Sequence, residues 1–525
     1  MSAVSADRTY DAVVIGGGHN GLVAACYLAG AGLSVTVLER SPIVGGAAVT
    51  ETLSPGFRLS TASYVLSLMP RRILDELDLW AAGVEYLPRE PRIFVPFPDG
   101  TWLTWWSDPV RLHAELARVS KRDADRFADY EAFIERAASV MDRFILRPPP
   151  SWAEVAAEFR TPEDLAVFQK CFLGSAADIA EHFFESEKIR AVVAATGIIG
   201  TFRGPRDPGT GYVKLYHSMG MATGVRGAWT YVRGAMGAVT QALARVATAR
   251  GVRLRTDAEV REVLVRDGRA TGVVLASGEE IAARAVLSNA DPVRTYLGLV
   301  PRRELPDGYR RAIEAIKIES PVMKINLAIA EPPRFTMLPA DRVREGYSGG
   351  LFIGPSIDYL QRACDEARAG HPATHPFLSV HLQSAVDDTL APSGCHTLSI
   401  FTQYFPYRLA EGTWDARRDA IADGVLAELG RYAPNVPGSV LARQVLAPPD
   451  LEARFGLTGG HIFHGELVPE QAFDLRPVPG STSYEGPIRG LYLCGSGAWP
   501  GGCVMGAPGH NAAQEVLARA RAQPR

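Results

Sequence analysis

No C-x-x-C pair occurs among the cysteines of this 525-residue chain, which excludes a disulfide-reductase dithiol and a zinc ribbon. Only six thiols are present, Cys26, Cys171, Cys364, Cys395, Cys494 and Cys503, a scarcity that suggests a reducing compartment. Neither sign of charge is in excess. Lys and Arg number 55 against 58 Asp and Glu, where a nucleic-acid binder would be basic. No apolar run reaches the length of a membrane-spanning helix. The nearest, residues 191–202 (AVVAATGIIGTF), reads first as buried core. Its second reading is the wall of a substrate tunnel or a shallow membrane contact. Residues 1–10 are polar and lack the apolar stretch of a secretory signal. The expectation is a cytoplasmic protein with no nucleic-acid partner. Peripheral membrane attachment stays open, and the sequence sets no oligomeric state.

What is present begins with a β-α-β unit. Residues 10–15 read as a short apolar strand, 16–21 as a glycine turn, 22–31 as a helix of small apolar residues and 33–38 as a second strand. Gly16-x-Gly18-x-x-Gly21 thus follows a strand and opens a helix, and Glu39 closes the next strand. Gly16 permits the tight turn, Gly18 lets the backbone approach a pyrophosphate, and Gly21 lets helix and strand pack closely. The helix N-terminus offers free amides and partial positive charge to the phosphates. The Glu39 carboxylate accepts ribose hydroxyls and repels a 2′-phosphate. Arg40 follows it, and the pair Gly45-Gly46 lets a second loop approach the pyrophosphate.

Between residues 60 and 211 the periods are helical, as at 71–80, 109–120 and 123–144, with Pro148-Pro149-Pro150 as punctuation. A helix over 238–249 stops at Gly251. Strands at 252–254, 259–266 and 270–275 follow, the last two flanking the hairpin signal Asp267-Gly268, and then a strand at 285–288. Later strands are predicted at 322–330 and 397–404, with a helix over 413–432. The tail returns to nucleotide-binding grammar: a strand at 490–494, a glycine-rich stretch to 509 and a helix over 511–522. The predicted fold class is α/β, a Rossmann-type dinucleotide-binding domain with a mixed α+β substrate domain. The first would combine residues 1–60, 225–300 and 455–525. The second would combine the helix-rich 61–224 with 301–454.

The arrangement E-R-x-x-x-x-G-G from Glu39 to Gly46 resembles the glutathione-reductase-type flavoprotein superfamily, whose nucleotide is FAD. The opening VVIGGGHNGLVAACYLAGAGLSVTVLERSPIVGGAA and the closing LCGSGAWPGGCVMGAPGHNAA resemble the phytoene desaturase-related FAD-dependent oxidoreductases. So do GGHIFHGELVPEQAFDLRP and SKRDADRF. The branch indicated holds the O-type carotene ketolases and pyridine nucleotide-disulfide oxidoreductase domain-containing protein 2. The resemblance implies FAD held by Gly16, Gly18, Asn20, Gly21, Gly45, Gly46 and Ala47 at the pyrophosphate. It implies Glu39 at the adenosine ribose with Arg40 beside it, and backbone contacts from Val260 to adenine. Gly495, Ser496, Gly502 and Met505 would line the flavin. Many members of the superfamily carry an Asp after the last strand, where this chain has Gly495-Ser496. Only 24 residues follow Gly501, too few for a second nucleotide unit, so no NAD(P) domain is expected. Electrons would pass from flavin to an external acceptor such as dioxygen or a quinone.

On the substrate side, His461, His464 and Glu466 in HIFHGEL lack a third imidazole in register, and no metal is expected. His464 is the candidate hydrogen-bonding or proton-transfer group, with a structural histidine as the alternative. Trp499 is a candidate to stack near the flavin ring, with packing in the core as the alternative. Cys503 has the wrong spacing from the last strand for a covalent flavin link. Trp102, Trp105 and Trp106 suit a buried strand first and an apolar substrate lining second. Tyr212, Lys214 and His217 are further candidates to face the cavity. The expected activity is two-electron oxidation, of desaturase or oxidase type, of an apolar small molecule of isoprenoid or carotenoid kind. The alternatives are a flavin amine oxidase, a redox-neutral flavin isomerase and a prenyl-binding module of the Rab GDP-dissociation-inhibitor type.

Overall fold

Two seven-stranded sheets organise the chain, which the computed structural model describes over residues 9–481 and 483–522. The polar stretch read at 1–10 falls, up to residue 8, outside the described residues. The first sheet runs Val260–Arg266, Arg269–Leu275, Glu280–Ser288, Tyr10–Ile15, Val35–Leu38, Arg253–Arg255. Leu491–Leu493 joins it in parallel beside the last residues of Glu280–Ser288. Tyr10–Ile15 pairs in parallel on both sides, and its near-continuous apolar run suits a strand covered on both faces.

Helix His19–Gly30 covers this sheet with small buried side chains. Its N-cap is Gly18, and no side chain caps it, so its first amides are left for another acceptor. The C-terminal helix Ala507–Ala522 lies directly against it. A Cβ on Gly509 would stand 2.0 Å from the Asn20 carbonyl oxygen, so only glycine admits the approach. The Asn20 side chain donates to Ser496 Oγ at 3.3 Å. The two ends of the sequence therefore meet at one place.

The second sheet runs Val440–Leu446, Val322–Ile329, His396–Gln403, Phe377–His381, Gly350–Ile353, Ile93–Pro96, Trp102–Trp105. All of its neighbours are antiparallel except Gly350–Ile353 with Ile93–Pro96. Its last two strands fall within the stretch read as helical from 60 to 211, and Trp102 and Trp105 lie in the second of them, in keeping with the strand read first for that cluster. These strands are a hairpin closed by Pro98-Asp99-Gly100, with Gly100 at φ 78 and the Phe97 N–H donating to Thr101 O at 2.9 Å. The aromatic and β-branched residues of IFVP and WLTW prefer this pleated surface. The helix expected over 71–80 stops at Glu76, where the chain turns through Asp78 at φ 47. Among the described residues no helix is long and apolar enough to cross a membrane. Residues 191–195 and 197–201 are buried, and Ile199 reaches a cavity wall.

The stretch SKRDADRF has a local explanation. Ser120 caps helix Lys121–Asp142 by accepting from the Asp123 N–H at 3.1 Å. Asp123, fully buried, accepts from the Glu185 and Ser186 N–H groups, each at 2.8 Å. Asp123→Ala strands both donors, and the expected loss of stability is about 2–4 kcal/mol. Denaturant unfolding checks it. A change within about 0.5 kcal/mol, the range of ordinary surface substitutions, would remove the claim that Asp123 anchors this turn.

Candidate cofactor and substrate cavity

The glycine turn after Tyr10–Ile15 opens on a large cavity. Gly16 takes φ 90, and a Cβ on Gly21 would sit 2.3 Å from the Gly16 carbonyl oxygen. Gly21 thus works behind the turn, holding helix to strand. The second loop reaches back, with the Gly45 N–H donating to Gly17 O at 2.9 Å. Glu39 is buried and tied at both oxygens. Oε2 accepts from the Gly17 N–H at 2.8 Å and Oε1 from the Ser41 N–H at 2.9 Å. A carboxylate has about four acceptor positions, so two such bonds fix its direction and leave acceptors for hydroxyls. Arg40 donates to the carbonyls of Ala453 and Arg454 at 3.2 and 2.9 Å, joining the rim to a late segment of the chain.

Gly16, Gly18, Asn20, Glu39, Arg40, Gly45, Gly46, Ala47, Val260, His464 and Ser496 line this cavity. Gly21, Gly495, Gly502, Met505 and Trp499 do not. A Cβ on Gly495 would meet Asn289 O at 2.5 Å and one on Gly502 would meet the Phe463 ring at 2.3 Å, so both serve close packing. Met505 Sδ lies 3.5 Å from the Tyr216 hydroxyl, which donates to Gly502 O at 2.8 Å. Trp499 is a correction. It is buried, donates its indole N–H to Phe144 O at 3.3 Å and packs on Phe473 with ring centres 5.2 Å apart. Tyr212 is likewise buried away from the cavity.

The residues fit a polar dinucleotide. His19 Nε2, Asn20 Oδ1, Ser63 Oγ, Ser67 Oγ, Arg294 Nε and His464 Nδ1 are buried, have no hydrogen-bond partner among the described residues, and belong to lining residues. Buried polar groups without partners are few in native proteins, so their gathering here marks where a ligand's oxygens and nitrogens belong.

The far wall comes from the second sheet and carries what sequence reasoning missed. Lys324, on the wholly buried strand Val322–Ile329, lines the cavity and is 2% exposed. Its Nζ donates to Ser399 Oγ and stands 4.9 Å from the centre of the Tyr64 ring. Burial pushes its pKa down to about 7. Such an amine exchanges a proton near neutral pH. The signal was one lysine in the apolar run VMKINLAI.

The histidines are different. Burial pushes His464 down to about 4, with Asp291 opposing, so near neutrality it is a neutral hydrogen-bonding imidazole. His461 is pushed by burial to about 3, and its Nδ1 accepts from the Phe463 N–H at 3.2 Å. Glu466 is occupied, accepting from the Phe202 N–H at 2.7 Å. His217 lines the cavity, its Nδ1 2.9 Å from Val213 O and its Nε2 3.9 Å from Cys503 Sγ. The Nδ1 contact to a carbonyl makes that nitrogen the donor and Nε2 an acceptor. Burial raises the Cys503 thiol to about 12, so it stays protonated.

The sequence profile of the family described as "Flavin containing amine oxidoreductase" matches residues 21–517. "Pyridine nucleotide-disulfide oxidoreductase domain-containing protein 2" of Rattus norvegicus is 40% identical, over 97% of this chain and 93% of its own. "Phytoene desaturase (neurosporene-forming)" of Rhodobacter capsulatus is 27% identical, over 94% of this chain and 91% of its own. The crystal structure of an oxidoreductase from Methanosarcina mazei shares the fold, with a TM-score of 0.61 at 20% identity over 97% of this chain and 99% of its own. The chain belongs to the flavin-containing amine oxidoreductase family, as an FAD-dependent oxidoreductase related to the phytoene desaturases.

Proposed function

We propose that this protein removes two electrons from an apolar small molecule, as a desaturase or oxidase, with dioxygen or a quinone as external acceptor. The observation that carries the reading is a single cavity lined both by the glycine turn and by buried Lys324. Bound FAD supplies the two-electron redox chemistry. Gly16, Gly18, Asn20, Gly45, Gly46 and Ala47 would hold its pyrophosphate, with Gly21 behind the turn. Glu39 would take the ribose hydroxyls, Arg40 and Val260 the adenosine end, and Ser496 and His464 the flavin end. Gly495, Gly502 and Met505 would shape that end from behind. The division into FAD-binding segments 1–60, 225–300 and 455–525 and substrate segments 61–224 and 301–454 is part of this proposal.

The chain's own work is to bind, orient and exclude water. Ala62, Val65, Leu68, Ile199, Val322 and Phe401 give the cavity wall an apolar character suited to a hydrocarbon. The name of the Rhodobacter relative, a phytoene desaturase, supports the same reading. Lys324 would hold or release a proton at Nζ beside the substrate. An amine substrate is the second reading, favoured by the family description.

Anaerobic mixing of the purified holoprotein with isoprenoid hydrocarbons and with primary amines tests this. Loss of visible flavin absorbance with a hydrocarbon, restored by dioxygen or a quinone, is expected. Bleaching by amines alone would replace the desaturase reading with the amine oxidase one. A colourless protein that refuses added FAD would end both.

A further inference from the structure

A second cavity of about 450 Å³ lies beside the first, within the range of about 300–1,000 Å³ usual for small-molecule sites. Exposed Glu131 and Glu135, on helix Lys121–Asp142, stand at its mouth. His217 and Trp229 line both cavities and form their common wall.

The charges along this second cavity do not balance. Arg226 is neutralised by Glu135 and Asp142, at 2.9 and 2.7 Å. Arg92 interacts with Glu131 at the mouth. Arg89 and Lys214, each 7% exposed, have no carboxylate within ion-pair distance among the described residues. Lys214 Nζ finds the Ser218 hydroxyl at 3.2 Å and the Tyr130 ring centre at 5.7 Å. Arg89 gives one N–H to Arg92 O at 3.1 Å, and its buried Nε has no partner among the described residues. Its guanidinium sits 5.0 Å from the Tyr231 ring centre and 5.7 Å from that of Trp229. Buried cations without a counter-charge are costly, and here two of them face a space of ligand size.

We propose that Arg89 and Lys214 bind the anionic head, a carboxylate or a phosphate, of an amphiphilic substrate whose apolar body passes His217 and Trp229 into the flavin cavity. The inference rests on the oxidoreductase reading above and adds the substrate's polarity to it. The order of surfaces fits such a molecule. Unpaired cations lie on the outer side of the shared wall, and Ile199, Phe463, Val322 and Phe401 on the inner side. A hydrocarbon with no charged group would leave both cations without a counter-ion.

Calorimetric titration of the holoprotein with oleate, oleyl phosphate, oleyl alcohol and inorganic phosphate tests the assignment. Oleate or oleyl phosphate is expected to bind at least about tenfold more tightly than oleyl alcohol, a difference of about 1.4 kcal/mol. The better of the two identifies the head group. Lys214→Met, which keeps most of the stem, should remove that preference, and Lys214→Arg should restore it. Oleyl alcohol binding as tightly as both anions in the unmodified protein would overturn the proposal, whatever the variants do. So would inorganic phosphate binding as tightly as the amphiphiles, or none of the four binding. Visible flavin in the same samples separates the two failures. Coloured protein without anion preference sinks this inference alone, and protein that cannot take up FAD sinks the oxidoreductase reading.

Discussion

Lys324→Met should leave the protein more stable and nearly inactive. The two effects share one cause. Free lysine titrates near 10.5, and burial in the strand Val322–Ile329 brings Lys324 to about 7. Between those values the unfolded chain binds a proton that the folded chain does not. Stability therefore falls as pH drops from 10.5 to about 7 and is level below it. The slope is at most about 1.4 kcal/mol per pH unit, so below pH 7 the burial of this charge costs about 3–5 kcal/mol. Methionine has a similar stem and no charge, and it removes both the cost and the slope. Denaturant unfolding at several pH values reads this directly. Loss of a positioned proton-transfer group should lower the rate of substrate-driven flavin reduction by about 10²–10⁴-fold. The inflection near pH 7 in that rate should vanish with it. A variant that keeps the rate and the inflection would remove Lys324 from the chemistry, even if the stability gain appears.

The residues that the sequence made legible are those whose role is local. The glycine turn, Glu39 and the strands beside them are short-range constraints. Gly21 must be glycine because its neighbour five residues back leaves no room for a Cβ, and such spacing is visible in a string of letters. Lys324 was not legible because its meaning is long-range. Ser399 and Tyr64, which surround its Nζ, arrive from other segments, and burial by the second sheet sets its pKa. Trp499 misled for the opposite reason. It precedes a glycine cluster that points toward the flavin end, but its own side chain turns to Phe473 and Phe144. The hairpin at Pro98-Asp99-Gly100 carried a turn signal that helical periods on either side obscured.

Glu39→Ala should release FAD. The carboxylate is held by the Gly17 and Ser41 N–H groups and lines the same cavity as Lys324. Each hydrogen bond from a ribose hydroxyl to an ionised acceptor is worth about 1.5–3 kcal/mol. Losing two weakens binding by about 10²–10⁴-fold. The variant also leaves the Gly17 N–H without its acceptor beside the phosphate turn, which adds to the loss. Glu39→Gln separates the two contributions. Its amide oxygen can still accept from one backbone N–H, so the turn keeps part of its support while the charge is gone. The expected order of FAD retention through gel filtration is wild type, then Gln, then Ala. If the alanine variant elutes with stoichiometric flavin and unchanged affinity, Glu39 does not hold the ribose. If glutamine and alanine lose flavin equally, the negative charge and not the anchored turn is what FAD requires.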